Sequence, residues 1–171
     1  ELAALRMSKR MEPEKFRELM RHQAGAVTVI AAGRAGTRAG ITATAFSSLS
    51  DDPPAILACV GLKSSVHAVI RTTGTFSVNI LASDQQYVAE HFSGQTGLSG
   101  EARFAGSVWG TLVTGAPVLE GALASLDCQL SDQHDFTTHS IFIGGVYGGR
   151  FRAMAQPLLY FRNGYWDPGM G

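Results

Sequence analysis

From Ala26 to Trp166 the chain is a succession of short β-forming runs cut by glycine, proline and aspartate, with too few helix-length segments to stand between them one for one. Parallel strands need a crossover, usually a helix, so this rhythm argues against a doubly wound α/β fold and for antiparallel pairing. The runs are Val27-Thr28-Val29-Ile30, then Ile41 to Phe46 as one long strand, Ala55 to Val60, Phe76 to Ile80, Ala122 to Asp132 and Ser140 to Val146. Leu158 to Phe161 and Gly164 to Trp166 give a closing hairpin. Asp51-Asp52-Pro53-Pro54 breaks the ladder, because proline supplies no donor. Six or seven such strands predict a mainly β fold with a few helices, an antiparallel barrel of Greek-key type closed or nearly closed on itself, since closure removes exposed edges.

The helices are few. Pro13 suits a first helical turn, and Phe16, Leu19 and Met20 recur at helical spacing behind it. Ser64 is placed to cap a short helix over Ser65 to Arg71, and Ser83-Asp84 opens another through His91. Ser93 to Gly106, rich in glycine and serine, reads as a surface excursion and the most mobile loop, and Asp132-Gln133-His134-Asp135 as the polar link between two strands. Residues 1–10, with Arg6, Lys9 and Arg10, read as a solvated tail, and residues 11–171 as one domain.

Fourteen basic and fourteen acidic side chains cancel, so no general field draws the chain to nucleic acid or to an anionic membrane. No run approaches the length of a membrane span, and the first residues lack the apolar middle of a signal peptide. Cys59 and Cys128 stand in apolar runs as small buried hydrophobes, which fits a reduced, cytoplasmic setting. Gly33, Gly36 and Gly40 do not make a dinucleotide fingerprint, there is no phosphate-binding P-loop, and no G-x-S-x-G elbow marks a hydrolase. His134 and His139 are poorly spaced for a metal, and none is expected.

Three stretches carry candidate chemistry. Thr42, Ala43, Thr44, Ala45, Ser47 and Ser48 present successive hydroxyls and backbone N–H groups to a polar ligand, or else form a strand-to-turn boundary whose hydroxyls satisfy the backbone. Cys59-Val60-Gly61 leads from a strand end into Lys63, Ser64 and Ser65 at a helix start, where free N–H groups and a cation suit a phosphate; the bland reading is a serine N-cap. His139 heads the strand Ser140 to Val146, either at a barrel rim facing a ligand or as a satisfied structural histidine.

Gly25 to Val29, Gly40 to Ser50, Asp52-Pro53-Pro54, Gly74 to Leu81, Arg103-Phe104 and His139 with Ile143-Gly144 occur in one order from Phe16 to Trp166. In that order they resemble the short-chain flavin reductases, FMN-binding split-barrel proteins that serve as reductase components of two-component monooxygenases. The resemblance implies a homodimer with FMN, in some members FAD, in each subunit, and NADH or NADPH as hydride donor. Thr42 to Ala45 would then border the isoalloxazine, Ser47 and Ser48 its ribityl-phosphate side, and Cys59, Val60 and Gly61 the ring edge. Lys63, Ser64 and Ser65 would hold the phosphate, and His139 would lie near flavin and nicotinamide, with Phe76 and Asn79 as framework. Thr137-Thr138-His139 replaces the family's G-D-H, and Gly144-Gly145-Val146 its G-E-V. The electron acceptor implied is free flavin passed to an oxygenase component, with a corrinoid acceptor as alternative, as in relatives that reduce cob(II)yrinic acid a,c-diamide. From other classes come a flavin-binding module without turnover and a flavin-free carrier of an apolar ligand.

Overall fold

The computed structural model describes residues 10–170, so Arg6 and Lys9 of the expected tail lie outside the described residues. In chain order the elements are α1 (Pro13–Met20), β1 (Gly25–Ala26), β2 (Thr28–Ala32), β3 (Ala39–Ala43), β4 (Phe46–Asp51), β5 (Pro54–Gly61), α2 (Ser65–Thr73), β6 (Thr75–Ile80) and α3 (Gln86–Ser93). There follow β7 (Trp109–Gly110), β8 (Val118–Leu119), β9 (Ala124–Phe136), β10 (His139–Phe151), β11 (Leu159–Phe161) and β12 (Gly164–Trp166).

Seven strands form one antiparallel sheet in the order β3-β2-β6-β9-β10-β5-β4. Its two edge strands are consecutive in the chain, with only Thr44 and Ala45 between them. The sheet is thereby drawn round until its edges meet, and the barrel is closed by covalent continuity with no ladder across the seam. The long strand expected over Ile41 to Phe46 is broken here for that reason. Ala43 pairs with Thr28 on β2, whereas Phe46 pairs with Ala58 on β5. The fold class read from the sequence is borne out.

Successive residues of β2 serve two cores, as the period of a strand requires. Ile30 faces the barrel interior with Ile56, Ala58, Val60, Phe76 and Phe142, while Val29 and Ala31 face a second cluster with Val88, Phe92, Phe104 and Leu158. Burying Phe76, Phe92 and Phe142 completely contributes roughly 1.5–3 kcal/mol each. Gly144 permits the tight layer at Phe76, since a Cβ there would stand 2.6 Å from that ring. β6 is buried on both faces. Its Asn79, polar and fully buried, is satisfied on every side: Nδ2 donates to the Val29 carbonyl at 3.1 Å and to Ser77 Oγ at 2.8 Å, and Oδ1 accepts from Leu119 N and Ser125 Oγ. The framework role expected of Phe76 and Asn79 agrees with this packing.

Several boundaries differ from the sequence reading. The polar Asp132 to Asp135 is not a link but part of β9, which runs to Phe136, because each of its residues finds a partner across the long β9–β10 hairpin. Ser83–Gln85 is a 3-10 turn that precedes α3. The Ser93 to Gly106 excursion is pinned to the barrel: Glu101 accepts from Arg38 N at 2.9 Å and Nε at 2.8 Å. Arg103 donates to three carbonyls, those of Leu98, Gly40 and Phe92. The side chain of Phe104 is buried against Phe92. Cys128 is buried, which pushes its thiol up to about 12, but Cys59 is only half-buried.

Candidate functional site

β5 sets the geometry. Ile56, Ala58 and Val60 point into the barrel and are buried; Leu57, Cys59 and Gly61 point outward and are half-buried. Directly paired residues share a face. The outward strip is therefore widened by Ser47 and Ile143 beside Leu57, by Ile141 beside Cys59, and by His139 beside Gly61. Ala45 joins it through the Cys59 N–H, donated to its carbonyl at 2.9 Å. Over this strip, at the seam of the barrel, lies a cleft of about 560 Å³, within the size range of small-molecule sites. Thr44, Ala45, Phe46, Ser47, Leu57 and Cys59 line its barrel side. Phe16, Arg17 and Met20 of α1 and its C-cap Arg21, with Tyr160, Arg162 and Asn163 of the last hairpin, line the other. Gly25 lets Thr44 close in on β1, since a Cβ there would stand 3.1 Å from Thr44 Cβ.

Of the residues singled out from the sequence, Thr44, Ala45, Ser47 and Cys59 meet in this cleft. Gly61, Lys63, Ser64, Ser65 and His139 gather farther along the same strip, where β5 gives way to α2. From Cys59 to Ser64 the chain spans at most roughly 16 Å at about 3.3 Å per residue. Ser64 occupies the N-cap position but makes no capping hydrogen bond, which leaves its hydroxyl available beside the open N–H groups of the first turn. Lys63 is exposed.

Three expected contacts are redirected. Val60 turns its side chain into the core, so that only its backbone borders the strip. Thr42 donates its hydroxyl to the Ala89 carbonyl at 2.6 Å, and with Ala43 it lines a separate cleft of about 300 Å³ that also contains Thr44, Tyr160 and Tyr165. Ser48 is exposed, and its carbonyl accepts the Ser47 hydroxyl at 3.1 Å.

His139 is exposed and hydrogen-bonds through Nδ1 to Thr138 Oγ1 at 2.8 Å, with its ring beside Gly61. The next residue, Ser140, faces inward and links two elements: its Oγ meets Nε2 of the buried His67 on α2 at 2.7 Å and donates to Asp135 Oδ1 at 2.6 Å. The hydroxyl of Ser140, and then the Gln133 amide, hold the Asp135 carboxyl below the usual carboxylate range. The helix start and the hairpin tip that carries His139 are thus tied together beneath the strip. Gly145 lies outward, opposite Ala55, where a Cβ would meet only ordinary contacts at 3.4 Å and beyond.

Among the described residues no group of three His, Cys, Asp or Glu side chains is placed to hold a metal ion, and no helix is long and apolar enough to cross a membrane. Sequence reasoning missed the far wall of the cleft. One signal was available, the apolar spacing of Phe16, Leu19 and Met20 on α1; Phe16 and Met20 line the cleft, 56% and 46% exposed.

The fold is a split β-barrel whose seam opens into a ligand-sized cleft. The chain belongs to the flavin reductase like domain family, which it matches over residues 20–168. It is 39% identical over 150 residues to the FMN reductase (NADH) RutF of Agrobacterium fabrum, covering 88% of this chain and 85% of that protein. To the 4-hydroxyphenylacetate 3-monooxygenase reductase component of Salmonella typhi it is 36% identical, over 86% and 87% of the two chains. BorF, the flavin reductase component of a bacterial two-component tryptophan halogenase, superposes with a TM-score of 0.83 at 31% identity, over 91% of this chain and 98% of its own. The resemblance read from the sequence is borne out for family, fold and oxidoreductase class.

Proposed function

We propose that this chain is an NADH-dependent flavin reductase that holds FMN along the outward strip of β5 and supplies reduced flavin to a partner oxygenase. The observation that carries the reading is the continuity of that strip, from the seam cleft at Thr44, Ala45, Ser47 and Cys59 to the helix start at Lys63, Ser64 and Ser65. The cleft suits a planar, mostly apolar ring with polar edges, and the helix start suits a phosphate, with one cation, two hydroxyls and open N–H groups. The donor sets therefore fit FMN. The names of the three relatives support NADH as donor and an oxygenase component as the consumer of reduced flavin. None of them is a corrinoid reductase or a flavin store.

Bound FMN supplies the hydride-accepting ring, so the protein's part is position. The backbone of Cys59, Val60 and Gly61 would align the ring edge, Thr44 would border the ring and Ser47 its ribityl side, and the outward side chain of Leu57 would keep water from that side. Ser64, Ser65 and Lys63 fix the phosphate. His139, held by Thr138, stands at the strip's edge to hydrogen-bond the nicotinamide amide. The His67–Ser140–Asp135 chain beneath keeps the phosphate end and the histidine in fixed relation. Homodimerisation is part of the same reading. It is supported by the apolar residues Phe136, Tyr147 and Phe151, spaced along the β9–β10 hairpin and 61–80% exposed.

The site is tested by flavin titration with FMN and with riboflavin, which lacks the phosphate. Lys63→Gln and Ser64→Ala should each weaken FMN binding about tenfold, the worth of one charge-assisted hydrogen bond, and should leave riboflavin binding within twofold. His139→Ala should slow reduction by NADH at an unchanged FMN affinity. Equal weakening for both flavins would contradict the phosphate assignment.

A further inference from the structure

Three arginines are among the residues that line the far wall of the seam cleft: Arg17 of α1, Arg21 at its C-cap and Arg162 in the turn between β11 and β12. No aspartate or glutamate lines the cleft, in a protein whose charges cancel overall. None of the three arginines takes part in the ion pairs of the described residues. Glu12, Glu14 and Glu18 line, with Lys15, Arg17 and Arg21, a separate shallow concavity along α1. The convergence is held in place by the backbone, since Arg162 N donates to the Arg21 carbonyl at 3.0 Å.

Arg17 and Arg21 alone have a simpler explanation, because cations near a helix C-terminus are favoured by its dipole. Arg162 has none of that kind. It opens a two-residue hairpin turn in which it and Asn163 have φ values of 48° and 65°. Both lie in the left-handed region that such turns reserve for asparagine and glycine. A long side chain there carries a backbone cost, and it adds a third positive charge to a site that already holds two. Its guanidinium stands 4.9 Å above the Phe161 ring, which orients it. Like charges brought together at a cost on the wall of a ligand cleft mark an anion site, and planar guanidinium forks match phosphate oxygens two at a time.

This anion is not the FMN phosphate. The arginines line the cleft together with Leu57 and Cys59, whereas Lys63, Ser64 and Ser65 are not among its lining residues. We propose that Arg17, Arg21 and Arg162 form a subsite for the diphosphate of the nicotinamide dinucleotide, holding the donor across the cleft from the flavin strip. The proposal rests on the flavin reductase reading for the identity of the ligand. Its first test does not depend on turnover.

The FMN-loaded protein is titrated with ADP, the phosphate-bearing half of the donor, for the wild type and for Arg162→Asn and Arg17→Gln/Arg21→Gln. Arg162→Asn keeps a residue suited to the turn. Each variant should bind ADP at least about tenfold more weakly, the loss expected for a charge-assisted contact, with the FMN affinity within twofold of wild type. In turnover, kcat/KM for NADH should fall about tenfold relative to kcat/KM for dihydronicotinamide riboside, a donor without phosphate, and the fall should appear in KM. Wild-type protein that does not bind ADP overturns the subsite, as does an unchanged ratio between the two donors or a loss of FMN affinity matching the loss of ADP affinity. ADP binding that is lost in the variants of a protein NADH cannot reduce would leave the subsite standing and refute the reductase reading.

Discussion

Single side chains divide here between those that hold the barrel and those it presents. Asn79 is the clearest of the first kind, with four hydrogen bonds made inside a fully buried site. Asn79→Ala would strand the Leu119 N–H and the Ser125 hydroxyl, and it should cost about 2–4 kcal/mol, read as a lower denaturant midpoint at unchanged slope. Residue identity was legible in the sequence for the site where chemistry is local: Thr44, Ala45, Ser47 and Cys59 all reach the cleft. It failed where a neighbour intervened. Nothing near Thr42 in the sequence announces that the Ala89 carbonyl, 47 residues on, takes its hydroxyl. The inward turn of Val60 follows from strand period once Cys59 is set outward. Arg162 escaped notice because its interest lies in a backbone angle.

At the scale of elements, the main apolar strands were readable, but β4, β7 and β8 were not, and neither was strand extent. β9 and β10 run beyond the apolar residues that announce them, since cross-strand pairing carries polar residues along with it. The break at Thr44-Ala45 separates two strands that sit at opposite edges of one sheet, a fact of topology with no local sign. The 93–106 excursion shows the converse, a glycine-rich loop made firm by two arginines. Glu101→Gln should release it, at a cost of roughly 1 kcal/mol in stability, with faster amide exchange confined to that segment. The side-chain hydrogen bonds from Arg38 hold the Glu101 carboxyl below its usual value of 4.5, against a smaller opposing effect of burial. A depressed carboxylate stabilises the fold above its unfolded pKa and loses that contribution as pH falls through the folded one. The wild-type loop should therefore keep its protection at neutral pH and lose it below about pH 4.5, whereas in Glu101→Gln this protection should be low and insensitive to pH.

The described residues form a sheet bent until its edges meet, and the proposed flavin site lies at that seam. The apolar side chains left outside along the β9–β10 hairpin lead to the prediction of a dimer, a sedimentation mass near twice the 18.2 kDa of the chain. Phe136→Asp with Tyr147→Asp should shift that mass to the monomer. The central claim is that the strip from the seam to α2 holds FMN in reach of a nicotinamide donor. It is tested most directly by adding NADH, without oxygen, to the purified protein carrying FMN and following the visible flavin band. Rapid bleaching, with the colour restored when oxygen or an excess of free flavin is admitted, is the result this account predicts. A protein that takes up no FMN, or takes it up and keeps its colour with NADH, would contradict it.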